Sequence, residues 1–382
     1  MKPAQSTEPA ARFKVIGSFS PEGHEDEEMP RVGMTRDRAI ALGLFVASAL
    51  GFLYFVLPKL AGLRTTWDRL GSGDPAWLAV AAAFEVLSFA GYVALFRTVF
   101  VRGDSRVGWS ESYQITMAGL AAARLFAAGG AGGVALTAWA LRRSGVPRRV
   151  VACRMVAFNF LLYLVYALAL VVAGVGLRTG LLPGGGAFAI TILPALFGGV
   201  ALAIGLTVSL LPEDAARRIE RRSQGAGRAA RLMDRVVTVP ALAASGVRTA
   251  LATVRAREPG VLGALAWWGF DIATLWAAFH AFGSPPALTV IVMSYYVGMI
   301  ANLLPIPGGV GGVDGGMIGA LIAFGVDGGL AVVAVLAYRG FSFWLPTIPG
   351  AVAYLQLRRT VARWRTDSRK PEAPEAPRPA PA

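Results

Sequence analysis

Two glycine-rich segments lie within otherwise apolar stretches of the chain. The first is Gly129-Gly130-Ala131-Gly132-Gly133, and the second is Pro307-Gly308-Gly309-Val310-Gly311-Gly312. Glycine and proline at this density interrupt a helix, and the broken ends expose free backbone groups. Because the N-terminal end of a helix is dipole-positive, such ends can hold an anionic group such as a phosphate. The alternative is that these glycines only let neighbouring helices pack closely.

Three charged residues near the two segments are the main candidates for binding chemistry. Asp314 directly follows the second segment and is the first candidate for a carboxylate that interacts with a substrate or a proton. Arg339 is predicted either to pair with Asp314 or to bind a phosphate, and Arg124 is the corresponding phosphate candidate just before the first segment. A charge at mid-bilayer costs about 2.5–3.5 kcal/mol on insertion scales, so each residue needs a partner or a function.

Three further polar residues are weaker candidates for the same site. Glu85 and Asp271 lie within or near the ends of apolar stretches, and Asn302 lies shortly before the second glycine segment. Every charged candidate also has an ordinary explanation, either a structural ion pair between helices or a side chain that extends to the interface. For Asn302 the ordinary role is a hydrogen bond between helices.

The composition indicates which elements must position these residues. Hydrophobic residues make up 55% of the 382 and charged residues only 16%, with a mean hydropathy of +0.55. A soluble domain is about one quarter charged, so the sequence predicts an all-α integral membrane protein. A single cysteine excludes a disulfide framework, and two histidines make a histidine metal site very unlikely. No metal and no cofactor are expected.

The net charge of +14 favours a membrane rather than a nucleic-acid partner. The arginines concentrate in the loops between apolar stretches, as the positive-inside rule expects for cytoplasmic loops. The rule places both termini in the cytoplasm and the protein in the inner membrane of the cell. The basic segment 212–258 is interpreted as an amphipathic helix on the cytoplasmic surface, with anionic membrane lipids as its partners.

Apolar stretches and glycine segments divide the chain into a repeated membrane domain and two tails. Residues 1–35 and 359–382 are predicted to be disordered cytoplasmic tails, and residues 36–358 a polytopic helical bundle. The predicted apolar stretches are residues 39–57, 77–100, 112–141, 150–177, 187–211, 261–282, 287–304 and 330–357. One glycine segment falls in repeat 1, about residues 77–177, and the other in repeat 2, about residues 261–357.

The charge distribution gives the two repeats opposite orientations. Four arginines follow the first glycine segment, and the positive-inside rule keeps them in the cytoplasm: Arg142, Arg143, Arg148 and Arg149. The first segment is therefore predicted to be the turn of a re-entrant hairpin that enters from the cytoplasm. With an inside C-terminus, the second hairpin must enter from the opposite side. Inverted repeats with broken helices in matching places are typical of transporters.

Two motifs carry a resemblance to a known family. Residues 302–314, NLLPIPGGVGGVD, and residues 338–346, YRGFSFWLP, resemble the membrane domain of bacterial lysylphosphatidylglycerol synthases, a family that also includes stand-alone membrane proteins. The resemblance covers about residues 39–358 and implies the flipping of a charged phospholipid between leaflets. The family usually has Glu at the position of Asp314, and often a polar or acidic residue where Ala135 and Leu136 stand here. Only a short tail follows Leu357, so the aminoacyl-transferase domain is not expected.

These features predict a transporter, a flippase for a phospholipid or a lipid-linked anionic substrate. One alternative is a non-catalytic membrane partner that anchors a lipid-modifying enzyme, for example a soluble transferase. Another is an intramembrane lipid enzyme, but the sequence offers no Ser–His pair in plausible spans, no His-Glu-x-x-His motif and no carboxylate cluster for Mg²⁺. A homo-oligomer is compatible with each of these functions.

Overall fold

The computed structural model describes residues 71–101, 106–125, 131–210, 228–303 and 311–367, and in these ranges the regular elements are helices. They are α1 (Pro75–Phe100), α2 (Trp109–Leu125), α3 (Ala131–Arg143), α4 (Arg148–Thr179), α5 (Phe188–Ser209), α6 (Arg228–Arg255), α7 (Leu262–Phe282), α8 (Leu288–Ile300), α9 (Gly312–Ala323), α10 (Gly328–Arg339) and α11 (Thr347–Asp367). Among them, five segments are long and apolar enough to cross a membrane. The chain is a polytopic helical membrane protein, as its composition predicts.

Several predictions concern residues outside the described ranges. They are the N-terminal tail 1–35, the apolar stretch 39–57, most of the C-terminal tail, and the glycine-segment residues Gly129, Gly130, Pro307, Gly308 and Gly309. The predicted start of the C-terminal tail at residue 359 is wrong, because α11 continues to Asp367. Val361 and Trp364 extend its buried face beyond Leu357 at helical spacing, and Thr360 donates a hydrogen bond to Gln114 Oε1 on α2 at 2.9 Å.

We call α1 to α5 the first half of the membrane domain and α7 to α11 the second half. The most extensive helix contact joins α1 of the first half to α7 of the second. The two run antiparallel, since the Asp74 N–H donates to the Ala281 carbonyl at 2.9 Å while Gly91 meets Gly263 towards the other end. A Cβ atom added to Gly263 would lie 2.3 Å from the carbonyl oxygen of Gly91, so the backbones touch directly. Small residues permit this close crossing in a membrane, where dispersion contacts drive helix association.

Each half also contains a pair of short antiparallel helices. Helices α2 and α3 have 17 and 13 residues, and α8 and α9 have 13 and 12. At a rise of about 1.5 Å per residue they extend roughly 18–26 Å, less than the hydrocarbon core of about 30 Å. The residues that join the two members of each pair, 126–130 and 304–310, lie outside the described ranges.

The α8–α9 pair begins and ends at the same level of the bundle. Ser284 and Ala287, which precede α8, line one pocket together with Gly325 and Asp327, which follow α9. In the first half, Gly133 near the start of α3 lies against Ala123 near the end of α2, and Thr137 further along α3 lies against Gly119 further back in α2, so these helices also run antiparallel. Both pairs are therefore helical hairpins.

A single turn of π-helix, Gly340–Trp344, separates α10 from α11. The Leu345 N–H donates to the Gly340 carbonyl at 2.9 Å, five residues back. Pro346 follows at once, and a proline cannot donate to the residue four positions before it. The long final span of the membrane domain is thus interrupted near its middle, and π-turns of this kind occur often at functional sites.

Helix α6 falls within the predicted basic segment 212–258 and packs against α4 and α5. Ala244, Val247 and Ala250 form its buried face, while Val254 and Arg255 are exposed. Gly246 lies against Val156 of α4. The second half of α6 is therefore docked on the bundle, and its predicted position at the headgroups remains a prediction.

Candidate functional site

Asp314, near the start of α9, and Arg339, at the end of α10, form a buried ion pair. Arg339 Nε lies 2.6 Å from Asp314 Oδ1, and both side chains are buried. Asp314 Oδ2 accepts the backbone N–H of Gly311 at 2.9 Å, which caps the start of α9. Gly311 has a φ of +83°, a left-handed conformation that favours glycine. Of the two partners predicted for Arg339, the aspartate is the one in contact.

Arg124 reaches from α2 in the first half to the π-turn in the second. Its Nη2 donates to the Ser342 carbonyl at 2.8 Å and its Nη1 to the Phe343 carbonyl at 3.3 Å. Because Pro346 has no N–H, the Ser342 carbonyl lacks the donor that an α-helix would supply. The guanidinium group supplies it instead, since it carries several donors in one plane. Arg124 is half-buried.

The aromatic ring of Phe343 brings the two arginines together. Arg339 Cζ lies 4.6 Å from the ring centroid, and Arg124 Cζ lies 5.5 Å from it. Phe89 of α1 lies 5.7 Å from Arg124 Cζ. Guanidinium groups are attracted to aromatic faces, more strongly where water is excluded. Cations from both halves of the protein therefore meet at one aromatic surface.

Glu85 and Asp271 face each other across the α1–α7 contact. Both are buried, and their carboxyl groups lie within hydrogen-bonding reach of each other. Asp271 Oδ2 accepts hydrogen bonds from the hydroxyl groups of Tyr295 and Tyr338, the latter at 3.0 Å. Arg124 is close enough to interact electrostatically with both carboxyl groups. The structure thus gathers all five charged candidates of the sequence into one interior region.

The Glu85–Asp271 contact joins equivalent positions of the two halves. The two residues are 186 positions apart, and so are the neighbouring Phe84 and Phe270, whose rings stack at 5.9 Å. This separation nearly equals the offset between the starts of α1 and α7, Pro75 and Leu262. The two carboxyl groups therefore lie at nearly the same position along their helices, on the eleventh residue of α1 and the tenth of α7.

The remaining candidates lie outside this cluster or outside the described residues. Asn302 is exposed, and its Nδ2 lies 3.1 Å from Met299 Sδ in the same helical segment. Gly312 begins α9, directly before the buried Asp314. The glycines Gly129, Gly130, Gly308 and Gly309, with Pro307, are not described.

Tyr295, Tyr338 and the π-turn carbonyls were not anticipated. Tyr338 precedes Arg339 directly in the 338–346 motif, which is a usable signal. Pro346 is another, because a proline in an apolar span always leaves one carbonyl without its helical donor. Tyr295 gives no comparable signal, because buried tyrosines are common where an apolar ring carries one polar tip.

Comparison with known proteins identifies the family. The family described as "Lysylphosphatidylglycerol synthase TM region" matches residues 40–350. The chain belongs to this family. The resemblance inferred from the 302–314 and 338–346 motifs is therefore confirmed. These motifs carry Asp314, Arg339 and the π-turn.

Similar segments also occur in proteins of Methanothermobacter thermautotrophicus described as "UPF0104 membrane protein". One is 34% identical over 110 residues, which is 28% of this chain and 31% of the relative. Others are 31% identical over 86 residues and 32% identical over 87, each 22% of this chain and 26% of the relative. The matched segments span less than a third of these relatives, so they support membership in a group of membrane proteins and no particular activity.

Proposed function

We propose that the protein is a flippase of the inner membrane that moves a phospholipid, or a lipid-linked anionic substrate, between leaflets. The observation that carries the proposal is the meeting of Arg124 and Arg339, from opposite halves, at the ring of Phe343. Charged side chains inside a bilayer mark substrate pathways by default. The phosphate of a lipid headgroup is the anion that two guanidinium groups in one place would bind.

Arg124 is the better candidate for direct contact with the headgroup. Arg339 is already paired with a carboxylate, Asp314, whereas the described hydrogen bonds of Arg124 go to neutral carbonyl oxygens. A phosphate accepts stronger hydrogen bonds than a carbonyl, so it can displace the two carbonyl oxygens from the guanidinium group. Arg124 is also the more exposed of the two.

The two helical hairpins provide the route for the headgroup. Each is too short to cross the bilayer as a pair of full spans, so we interpret both as re-entrant, one entering from each side. Their turns would then approach the arginines from opposite leaflets. Alternate opening of the two hairpins exposes the site to one side at a time, while the acyl chains stay in the surrounding lipid.

The topology follows from the same orientation. Arginines concentrate at the ends of helices that the positive-inside rule assigns to the cytoplasm, which supports cytoplasmic termini in the proposed topology. Anionic lipids of the cytoplasmic leaflet are the proposed partners of the basic segment 212–258.

A leaflet-exchange assay in vesicles tests the proposal. The full-length protein is reconstituted into phosphatidylglycerol vesicles that contain a fluorescent phosphatidylglycerol, and an impermeant quencher reports the outer-leaflet fraction over time. We expect the protein to accelerate exchange and Arg124→Gln to slow it at least about tenfold, the effect of losing about 1.4 kcal/mol of binding in the rate-limiting state. Exchange no faster than in protein-free vesicles contradicts the flippase function.

Arg97→Gln is the matched control for the arginine substitution. Arg97 lies in the last turn of α1, where it donates to Ser112 at 3.3 Å and stacks on Trp109, outside the cluster. Arg97→Gln removes one positive charge from a helix end, as Arg124→Gln does. Leaflet exchange by this variant should therefore stay near the wild-type rate. Appearance of a chemically altered lipid in these vesicles would favour an intramembrane enzyme. Binding of a soluble transferase without any acceleration of leaflet exchange would favour the membrane-anchor alternative.

A further inference from the structure

We propose that Glu85 and Asp271 form a proton-binding carboxyl pair, and that loading and release of this proton drive lipid movement. The inference rests on the proposed flippase function and adds its energy source. It is carried by the burial of both carboxyl groups, their mutual contact and the uneven distribution of hydrogen-bond donors around them.

The two carboxyl oxygens of Asp271 differ in the hydrogen bonds that they accept. Oδ2 accepts two tyrosine hydroxyl groups, from Tyr295 of α8 and Tyr338 of α10. Oδ1 is buried and has no hydrogen-bond donor among the described residues. A buried carboxylate oxygen without a donor is costly, so its ordinary partner would be a proton carried by a neighbouring group.

Glu85 is the neighbour that can carry that proton. Its carboxyl group is in hydrogen-bonding reach of Asp271 and is 4% exposed. The donor to Glu85 Oε2 is the Thr274 hydroxyl at 3.3 Å, whose single proton is also directed to the Phe270 carbonyl at 3.0 Å. Two carboxyl groups can hydrogen-bond to each other only if one of them holds a proton. The contact therefore defines a proton site between the two halves.

The balance of interior charges supports one bound proton. The charged groups of the cluster are three carboxyl groups and two guanidinium groups: Glu85, Asp271, Asp314, Arg124 and Arg339. Asp314 and Arg339 neutralise each other, which leaves Arg124 to balance two carboxyl groups. One proton makes the cluster neutral, and neutrality is strongly favoured away from water. A phosphate that binds Arg124 changes this balance by one negative charge, which couples lipid binding to proton uptake.

The groups that face the pair favour a proton over a metal cation. Helix α2 contributes the Arg124 guanidinium group, and α8 and α10 contribute the hydroxyl groups of Tyr295 and Tyr338. All three groups are hydrogen-bond donors. Sodium or a divalent cation would require several oxygen atoms with free lone pairs turned inward.

Infrared spectroscopy tests the proton site directly. In the full-length protein in lipid nanodiscs, a pH step should reveal a protonated-carboxyl C=O band that disappears in both Glu85→Gln and Asp271→Asn. Gln and Asn keep the size and hydrogen-bonding capacity of the side chains, so these variants retain the packing. Asp327→Asn is the matched control, because Asp327 caps α10 outside the cluster. A band that survives in both cluster variants overturns the inference.

Vesicles with an imposed pH gradient test the coupling. Wild-type leaflet exchange should change several-fold when the gradient is reversed, and exchange by Glu85→Gln should not respond to it. A response to a sodium gradient and none to a pH gradient overturns the proton proposal. Gradient-independent exchange by the wild type also overturns it, yet leaves the flippase function intact. Absence of any exchange contradicts the flippase function itself, while the infrared band still reports on the proton site.

Discussion

Arg339 Nε lies 2.6 Å from Asp314 Oδ1, and both side chains are buried where the start of α9 lies beside the end of α10. The same aspartate caps α9 through Gly311, so one carboxylate fixes both the start of the second hairpin helix and the arginine beside the π-turn. A movement of α9 would therefore change the surroundings of Arg339. This link gives the second hairpin a mechanical connection to the arginine cluster.

Replacing Asp314 with Asn should destabilise the protein. The amide can still accept the Gly311 N–H, but it leaves the buried guanidinium of Arg339 without its counter-charge. Removal of one partner from a buried pair costs about 3–5 kcal/mol. Thermal unfolding of the detergent-solubilised protein, followed by tryptophan fluorescence, should show a clearly lower midpoint. Asp314→Glu keeps the charge and should lie closer to the wild type; equal stability of the Asn variant would show that the pair is dispensable.

Replacing Arg124 with Lys separates charge from geometry. Lysine keeps the positive charge, but it cannot direct two planar N–H groups at the Ser342 and Phe343 carbonyls or at two phosphate oxygens. We expect leaflet exchange by Arg124→Lys to fall between the wild type and Arg124→Gln. Exchange measured with the three proteins in the same vesicle preparation decides this. Equal rates for Lys and Gln would assign the whole effect to geometry, and a wild-type rate for Lys would assign it to charge.

Replacing Gly263 with Ala should weaken the contact between the two halves. The new methyl group would lie 2.3 Å from the Gly91 carbonyl oxygen, so α1 and α7 must separate. Overpacking of this kind costs about 1–3 kcal/mol. Gly269→Ala is the matched control on the same helix, because nothing lies within 4 Å of its added Cβ atom. Denaturation midpoints that drop only for the Gly263 variant support the contact, and a drop of equal size in both would assign the effect to the helix itself.

Local sequence patterns predicted the elements, while long-range packing determined the cluster. The helices α1, α4 and α7 follow directly from apolar runs of membrane-spanning length, as their ranges confirm. The sequence predicts Asp314 as one of two possible partners of Arg339, because charges in neighbouring apolar segments tend to neutralise each other. These two features depend mainly on residues close in sequence.

The Glu85–Asp271 contact and the Arg124 hydrogen bonds depend on packing between the halves. The sequence shows that Glu85 and Asp271 are 186 positions apart, but their contact requires the close α1–α7 crossing at Gly91 and Gly263. The carbonyl groups that bind Arg124 are available because of the π-turn. The spacing of apolar residues in the sequence does not indicate this turn. The sequence predicts a start of the C-terminal tail at residue 359, before the end of α11, because the arginines at residues 358–365 interrupt the apolar pattern of the buried face of α11.

Cysteine labelling from the two sides of the membrane tests the orientation of the hairpins. Cys153, the one native cysteine, is first replaced by Ser, which keeps a polar group beside Ser245 and Thr249. Ser144 follows α3 and should lie on the cytoplasmic side, and Ser284 precedes α8 and should lie outside. With a membrane-impermeant maleimide on intact cells, Ser284→Cys should be labelled and Ser144→Cys only after permeabilisation. Labelling of Ser144→Cys in intact cells would contradict the inward hairpin, because the arginines that follow α3 would then lie outside, against the positive-inside rule.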